Sequence, residues 1–166
     1  METRVAGYVK LAKLWERNRE QAIAYQNEYY KKIYTDNDSF ILVGVYVDIT
    51  GRKEIKNRPE MIRLLTDCTN GQIDQIVVQT KGYLAANTRE FCYLIKFLFE
   101  LPHRVDILSF DADYHIDTFS DTDNQRAELY RMAEEYSKLN PGVYPVWKSE
   151  IIKSIKQQTE SENNNG

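Results

Sequence analysis

Four short apolar segments that alternate with helical patterns constrain the fold of this chain more than any other feature. Between these segments, apolar residues recur at the three- and four-residue spacing of an amphipathic helix. Strands that alternate with helices favour crossover connections, which produce a parallel sheet covered by helices. The sequence therefore predicts an α/β sheet domain. The predicted strands are residues 5–11, 40–48, 73–78 and 105–110. The nearly continuous apolar run of the second predicts burial on both of its faces.

Each predicted helix has a boundary signal in the sequence. The first, over residues 19–33, ends in a basic pair that complements the helix dipole. The second begins at Pro59, because proline is favourable in a first turn. The third begins with the capping pair Asn87 and Glu90. A fourth helix is predicted over residues 123–139.

One domain is predicted over residues 1–140, followed by a C-terminal extension. The boundary lies at Pro141, because a proline followed by glycine interrupts a helix. Residues 141–159 form the extension, with a short amphipathic helix over 146–157. Residues 160–166 are polar and predict a disordered tail.

The charge balance excludes a wholly basic nucleic-acid binder, although it leaves room for a local basic patch. The 166 residues include 22 lysines and arginines against 25 acidic residues, a net charge of −3. Cys68 and Cys92 lie in apolar helical patterns and predict buried free thiols in a reducing compartment. No segment resembles a signal peptide or is long enough to span a membrane, so we expect a cytoplasmic protein with no membrane partner.

The opening strand and several later segments resemble the catalytic domain of the serine recombinases, the resolvase and invertase family. The strand reads RVAGYVKLA from Arg4 to Ala12, and the family pattern is R-V-A-x-Y-x-R-V-S. The likeness covers roughly residues 4–120, and its pieces follow in the family's order and spacing. The later matches are GVYVD at 44–48, NRP at 57–59, RLL at 63–65 and GQID at 71–74. The resemblance implies a resolvase-like fold of three layers, in which helices flank a central, mostly parallel sheet of four to five strands and a longer helix follows the sheet. It also implies a link to DNA recombination.

The same resemblance assigns the positions of the family's active site. In that family a serine attacks the DNA phosphodiester, and a cluster of arginines stabilises the charge that builds on the phosphate. Here Ala12 occupies the serine position, and Lys10 replaces the arginine of the first strand. The family's S-R-L-G-R motif falls on residues 82–86, so Tyr83 and Ala86 replace both of its arginines.

Three family positions keep their residue, namely Gln26, Asp48 and Arg58. A substitute nucleophile is hard to find, because no serine or threonine lies between residues 3 and 35. Tyr83 would still lack the arginines that stabilise the transition state. The resemblance therefore implies a catalytically inactive relative that acts as an accessory or regulatory subunit in the recombination of mobile elements.

Two basic segments suggest a contact with the DNA backbone, in which Lys10 and Arg58 take part. The family fold would bring both segments to one edge, although interleaved glutamates also fit an ordinary charged surface. The basic residues are Lys10, Lys13, Arg17, Arg19, Arg52, Lys53, Lys56 and Arg58. The helix over 123–139 is the expected contact with an active recombinase or with a second copy. Pro141 interrupts the region where the family has a continuous helix, which weakens the case for independent, sequence-specific DNA binding.

Three other functions stay open. They are a protein-protein interaction module that no longer contacts DNA, an active strand-exchange enzyme, and an unrelated flavodoxin-like domain with a small molecule at the strand ends. We predict no cofactor, because no glycine-rich phosphate loop is present. We also predict no metal, because the acidic run lacks the pattern of a calcium loop and the two histidines lack partners at ligand spacing. The acidic run comprises Asp111, Asp113, Asp117, Asp121 and Asp123.

Overall fold

The computed structural model describes residues 2–120 and 124–165. Its centre is a four-stranded parallel sheet in the order β2-β1-β3-β4. This arrangement confirms the predicted α/β class and the parallel sheet. The strands are β1 (Thr3–Leu11), β2 (Phe40–Ile49), β3 (Gln75–Val78) and β4 (Asp106–Ser109).

The first four helices lie close to their predicted positions, and no helix in the described part of the chain is long and apolar enough to cross a membrane. They are α1 (Arg19–Tyr34), α2 (Pro59–Thr69), α3 (Thr88–Phe99), α4 (Gln125–Ser137) and α5 (Val143–Asn165). Short 3₁₀ helices cover Lys13–Asn18, Ile55–Asn57 and Lys81–Tyr83. Residue 123, the predicted start of the fourth helix, lies outside the described residues.

Two apolar cores lie on opposite faces of the sheet and make the three predicted layers. The larger core joins the sheet to α2 and α3 through residues such as Leu64 and Leu94. The smaller core joins it to α1, where Tyr30 packs over Gly7. A side chain at Gly7 would bring its Cβ within 3.0 Å of the Tyr30 ring, so this close approach requires glycine. Both cysteines are buried and free, as predicted.

The prediction that β2 is buried on both faces was wrong. β2 lies at the edge of the sheet, and near its start Ile41 and Val43 are 41% and 46% exposed. Only the end of the strand is enclosed, where Tyr46, Val47 and Asp48 are buried. A run of apolar residues identifies a strand, but it does not fix the place of that strand in the sheet.

The predictions of a short helix over 146–157 and of a disordered tail over 160–166 were also wrong for the described residues. One helix, α5, runs from Val143 to Asn165, and residue 166 lies outside the described part. Ile151 is fully buried in the larger core. Extension of an anchored helix costs little per added residue, so the polar segment continues α5.

Candidate functional site

The residues assigned by resemblance lie at or near the carboxyl edge of the sheet. β1 and β2 end side by side there, because the Thr50 amide donates to the Leu11 carbonyl at 3.1 Å. Ala12 follows β1 directly, is exposed and has an extended backbone with φ −64° and ψ 152°. Its side chain is a methyl group, so the end of β1 presents no nucleophilic atom.

Asp48, at the end of β2, is a buried acceptor for structural donors. One carboxylate oxygen accepts from the Tyr8 hydroxyl at 2.8 Å, and the two oxygens accept from the amides of Glu60 and Met61 at 2.9 Å each. Those amides belong to the first turn of α2, where a negative charge complements the helix dipole. Burial and the Asp48 carboxylate raise the pKa of Tyr8 far above its usual value, so the hydroxyl remains a donor.

Arg58 does not lie on an exposed basic edge, and that part of the prediction was wrong. Its side chain is fully buried, and it donates from Nη1 to the Tyr83 carbonyl at 2.8 Å and from Nη2 to the Lys53 carbonyl at 2.7 Å. Nη1 also lies 3.3 Å from the Leu84 carbonyl. The guanidinium therefore joins the segment before α2 to the loop after β3. Sequence spacing placed the arginine before a helix, but it carried no information about where the side chain pointed.

Lys10 lies between these buried groups and the surface. It is half-buried, with Nζ 3.3 Å from the Thr50 carbonyl oxygen. Burial lowers the pKa of Lys10, and the positive charges of Arg58 and Lys53 lower it further. The structure thus brings Lys10, Asp48 and Arg58 together around the ends of β1 and β2.

Gln26 joins α1 to the end of β3 through a small polar network. Its Oε1 accepts from Gln79 Nε2 at 2.9 Å, and the Tyr83 hydroxyl lies 3.4 Å from Gln79 Oε1. Tyr83 is half-buried, and burial raises the pKa of its hydroxyl. Ala86 is exposed in the segment between the last 3₁₀ helix and α3, and it offers no polar side-chain atom. The network holds Tyr83 in a packed position, and its glutamine amides cannot act as a general base that would activate the Tyr83 hydroxyl.

Sequence reasoning missed Gln79, which follows β3, and it considered Asp111, two residues after the end of β4, only as part of the acidic run. Asp111 accepts from the Thr80 hydroxyl at 2.8 Å and from the Lys81 amide at 2.9 Å. The positions of Gln79 and Asp111 just after parallel strands were the available sequence signal, since parallel strands end at one edge of the sheet.

The residues considered as metal ligands lie only partly within the structure. Of the acidic run, Asp121 and Asp123 lie outside the described residues. Within the described ranges no group of three or more His, Cys, Asp or Glu residues could hold a metal ion.

Several cations surround the exposed ends of β1 and β2. We call Lys10, Lys13, Arg52 and Lys53 the basic edge. A Cβ built on Gly51 would lie 4.0 Å from that of Lys13, so the two basic segments meet in space. No carboxylate of residues 2–120 or 124–165 forms a salt bridge with these four residues. Arg19 and Lys56, by contrast, pair with Glu16 and Glu150.

Comparison with known proteins gives one family and one fold. The sequence model described as "Resolvase, N terminal domain" matches residues 16–140, a range that begins after Ala12. The N-terminal catalytic domain of TP901-1 integrase superimposes with a TM-score of 0.58 at 19% identity, covering 83% of this chain and 99% of that domain. A resolvase family site-specific recombinase from Streptococcus pneumoniae gives 0.56 at 15% identity, covering 99% of this chain and 100% of its own. At these identities the two structures show a shared fold. No curated protein sequence matches the chain.

Proposed function

The chain belongs to the resolvase N-terminal domain family, and on that premise we propose that it is a catalytically inactive member, an accessory or regulatory protein in the DNA recombination of mobile elements. The observation that carries the proposal is the exposed methyl group of Ala12 at the end of β1. Strand exchange by this family begins with attack by a serine hydroxyl at the matching position, and alanine has none to offer.

The surroundings of Ala12 also lack the arginine cluster that the family directs at a reacting phosphate. A phosphoryl transition state needs cationic donors directed at the non-bridging oxygens. Arg58 keeps its charge, but its Nη1 and Nη2 atoms are committed to backbone carbonyls in the interior. Tyr83 and Ala86 carry no charge at the positions where the family has arginines. Lys10 remains, and a lysine lacks the paired donors of a guanidinium.

The basic edge supports a contact with the DNA backbone. Four cations without carboxylate partners among the described residues attract phosphates and release the counterions condensed on them. Such binding weakens as the salt concentration rises and does not depend on the DNA sequence. We therefore assign Lys10 to DNA contact and remove Arg58 from that role.

Cleavage of supercoiled plasmid tests the catalytic part of the proposal. We expect no nicked product from the wild-type chain or from Ala12→Ser, because the hydroxyl alone would still face no arginine cluster. A catalytically active serine recombinase serves as the positive control for the assay. Nicking by Ala12→Ser would show that the remaining residues suffice for catalysis, and nicking by the wild type would refute inactivity altogether.

Duplex binding at a series of salt concentrations tests the DNA contact. Replacement of all four basic-edge residues by alanine should reduce the slope of log Kd against log salt by about 0.9 for each phosphate that the variant no longer neutralises. The matched control removes four exposed cations elsewhere that likewise form no salt bridge with the described residues, and it changes net charge by the same amount. They are Lys32, Lys138, Lys153 and Lys156. Equal reductions in both variants would indicate a general charge effect and contradict a defined basic edge.

A second candidate is an interaction module that no longer contacts DNA. The favouring observation is apolar surface on and beside α4, where Met132 is 44% and Tyr114 91% exposed. This helix is also the proposed contact with an active recombinase or a second copy. Sedimentation of the wild type and Met132→Glu tests self-association: a dimer that the variant abolishes, in a chain that binds no duplex, favours this second function.

A further inference from the structure

A separate cavity lies near Ala12, between the end of β1, the 3₁₀ helix that follows it and the first two turns of α1. Its volume is about 370 Å³, and its lining combines apolar side chains with two aromatic rings and three side-chain amides. This size is at the small end of the roughly 300–1,000 Å³ range of small-ligand sites. The cavity therefore has room for one planar group and not for a double helix.

The two aromatic rings, Trp15 and Tyr25, have large free surfaces. Trp15 is 45% exposed and Tyr25 is 67% exposed, although both are residues that proteins usually bury in large part. Neither ring contacts another aromatic ring within the part of the chain that the structure describes. Exposed rings of this kind provide stacking surfaces for nucleobases, whose faces are also planar and aromatic.

The amides belong to Asn18, Gln21 and Gln26. Gln26 Oε1 already accepts from Gln79, which fixes the orientation of its amide group. Its Nε2 donates to no other described residue and lies on a side chain that lines the cavity. Asparagine and glutamine amides pair with donor and acceptor pairs on the edges of bases. Stacking surfaces and edge donors thus occur in the same small space.

The 3₁₀ helix Lys13–Asn18 adds cations next to that space. With three residues per turn, side chains at positions i and i+3 lie on the same side. Trp15 and Asn18 therefore share the side that lines the cavity, while Lys13 and Arg17 lie on the two other sides. Lys13 and Arg17 form no salt bridge with the described residues, and Lys13 belongs to the basic edge. A nucleotide whose base enters the cavity would have its phosphates close to these cations.

From these observations we infer that the cavity binds an unpaired nucleobase of single-stranded DNA. A base in a duplex has both faces stacked and its pairing edge occupied, so it cannot enter a space lined by a ring and an amide. The inference rests on the proposed function for its ligand, DNA, and adds the strand form and the residues that hold the base. Trp15 and Tyr25 stack on the base, Gln26 donates to its edge, and Lys13 and Arg17 attract the backbone.

The test compares the full chain and its variants on a short single-stranded oligonucleotide and on the duplex of the same sequence. Trp15→Ala should weaken single-strand binding about 5- to 150-fold, the range expected when one base loses its stacking partner, and should leave duplex binding unchanged. Trp15→Phe should retain most of the affinity, because the ring persists. Leu14→Ala is the matched control: Leu14 is 72% exposed on a different side of the same helix, and its removal should change Kd by about twofold or less.

The outcomes separate this inference from the proposed function. If the chain binds duplex DNA and Trp15→Ala leaves single-strand binding unchanged, the inference is overturned and the proposed DNA contact stands. Absence of binding to either form overturns both. Full displacement of the oligonucleotide by a free deoxynucleoside monophosphate at equal concentration would assign the cavity to a small nucleotide and overturn the single-strand proposal. Quenching of Trp15 fluorescence by the oligonucleotide, absent in Trp15→Phe, would support it.

Discussion

The interior and the exposed halves of the candidate site differ in what their residues do. Gln26, Asp48 and Arg58 are buried, and each forms hydrogen bonds that join separate segments. Ala12 and Ala86 are exposed and carry no polar side-chain atom. A buried hydrogen-bonded group is costly to remove, whereas an exposed side chain is usually replaced at little cost. Family-like residues at positions 26, 48 and 58 therefore indicate the fold and do not by themselves indicate its chemistry.

The largest predicted effect tests the interior half. Asp48→Ala should lower the free energy of unfolding by about 3–5 kcal/mol. The variant leaves two amides of α2 and the Tyr8 hydroxyl without an acceptor, and it removes the negative charge near the buried guanidinium of Arg58. Urea denaturation measures the change. Asp48→Asn keeps an acceptor and should lose less. A decrease of less than about 1 kcal/mol for the alanine variant would contradict a structural role for Asp48.

The next largest effects are predicted for two arginine variants, one in the interior half of the site and one in its exposed half. Arg58→Met should lower the free energy of unfolding by about 2–3 kcal/mol, because three backbone carbonyls lose their donor. Once folded, it should bind duplex DNA as the wild type does. Arg52→Met, on the exposed side, should show the reverse pattern in the same two assays. Weaker DNA binding by folded Arg58→Met would contradict the assignment of Arg58 to the interior half of the site.

A smaller effect is expected at the opposite, amino edge of the sheet, where charges are paired. Asp74 accepts from Arg4 at 3.0 Å and lies 2.7 Å from His103 Nε2. The Arg4 hydrogen bond chiefly lowers the pKa of Asp74, to about 2. Stability from this carboxylate is therefore present above its unfolded pKa of about 4 and is lost as pH falls toward 2. After solvent screening, we expect about 1 kcal/mol, measured as a pH dependence of unfolding that Asp74→Asn lacks. An unchanged pH profile in Asp74→Asn would contradict this assignment.

The smallest effect is predicted for Ala12→Ser. The added hydroxyl lies on an exposed residue with extended backbone, so the free energy of unfolding should change by less than about 0.5 kcal/mol. Thermal unfolding of the two proteins measures this difference. A marked destabilisation would show that position 12 belongs to the packed half of the site.

Periodicity in the sequence predicted the fold class, the four strands and the helices that pack between them. These elements were predictable because their apolar spacing is set by local geometry, and burial on a sheet preserves it. Strand order is not local, which is why the exposure of Ile41 and Val43 was missed. The length of α5 was missed because its polar residues lack the apolar spacing, although its anchored first half supports them.

For the candidate site, sequence resemblance predicted which residues would lie near one another but not where their side chains would point. Resemblance placed Lys10, Asp48 and Arg58 together, and the structure brings them to the ends of β1 and β2. The direction of the Arg58 side chain depends on carbonyls of residues 53, 83 and 84, which converge only in the folded chain. The cavity beside Trp15 depends likewise on contacts between β1 and α1.

The contacts of α5 have a consequence for the order in which the chain acquires its structure. Glu150 pairs with Lys56 across 94 residues of sequence, and Gln158 donates to the Pro59 carbonyl across 99. Ile151 fills the core that α2 and α3 build much earlier in the chain. Contacts this distant along the chain form slowly, since a long loop must close before they stabilise anything. During synthesis, the part of α2 and α3 that α5 covers therefore stays exposed until residue 151 has left the ribosome, and exposed apolar surface of this kind makes a nascent chain prone to aggregation.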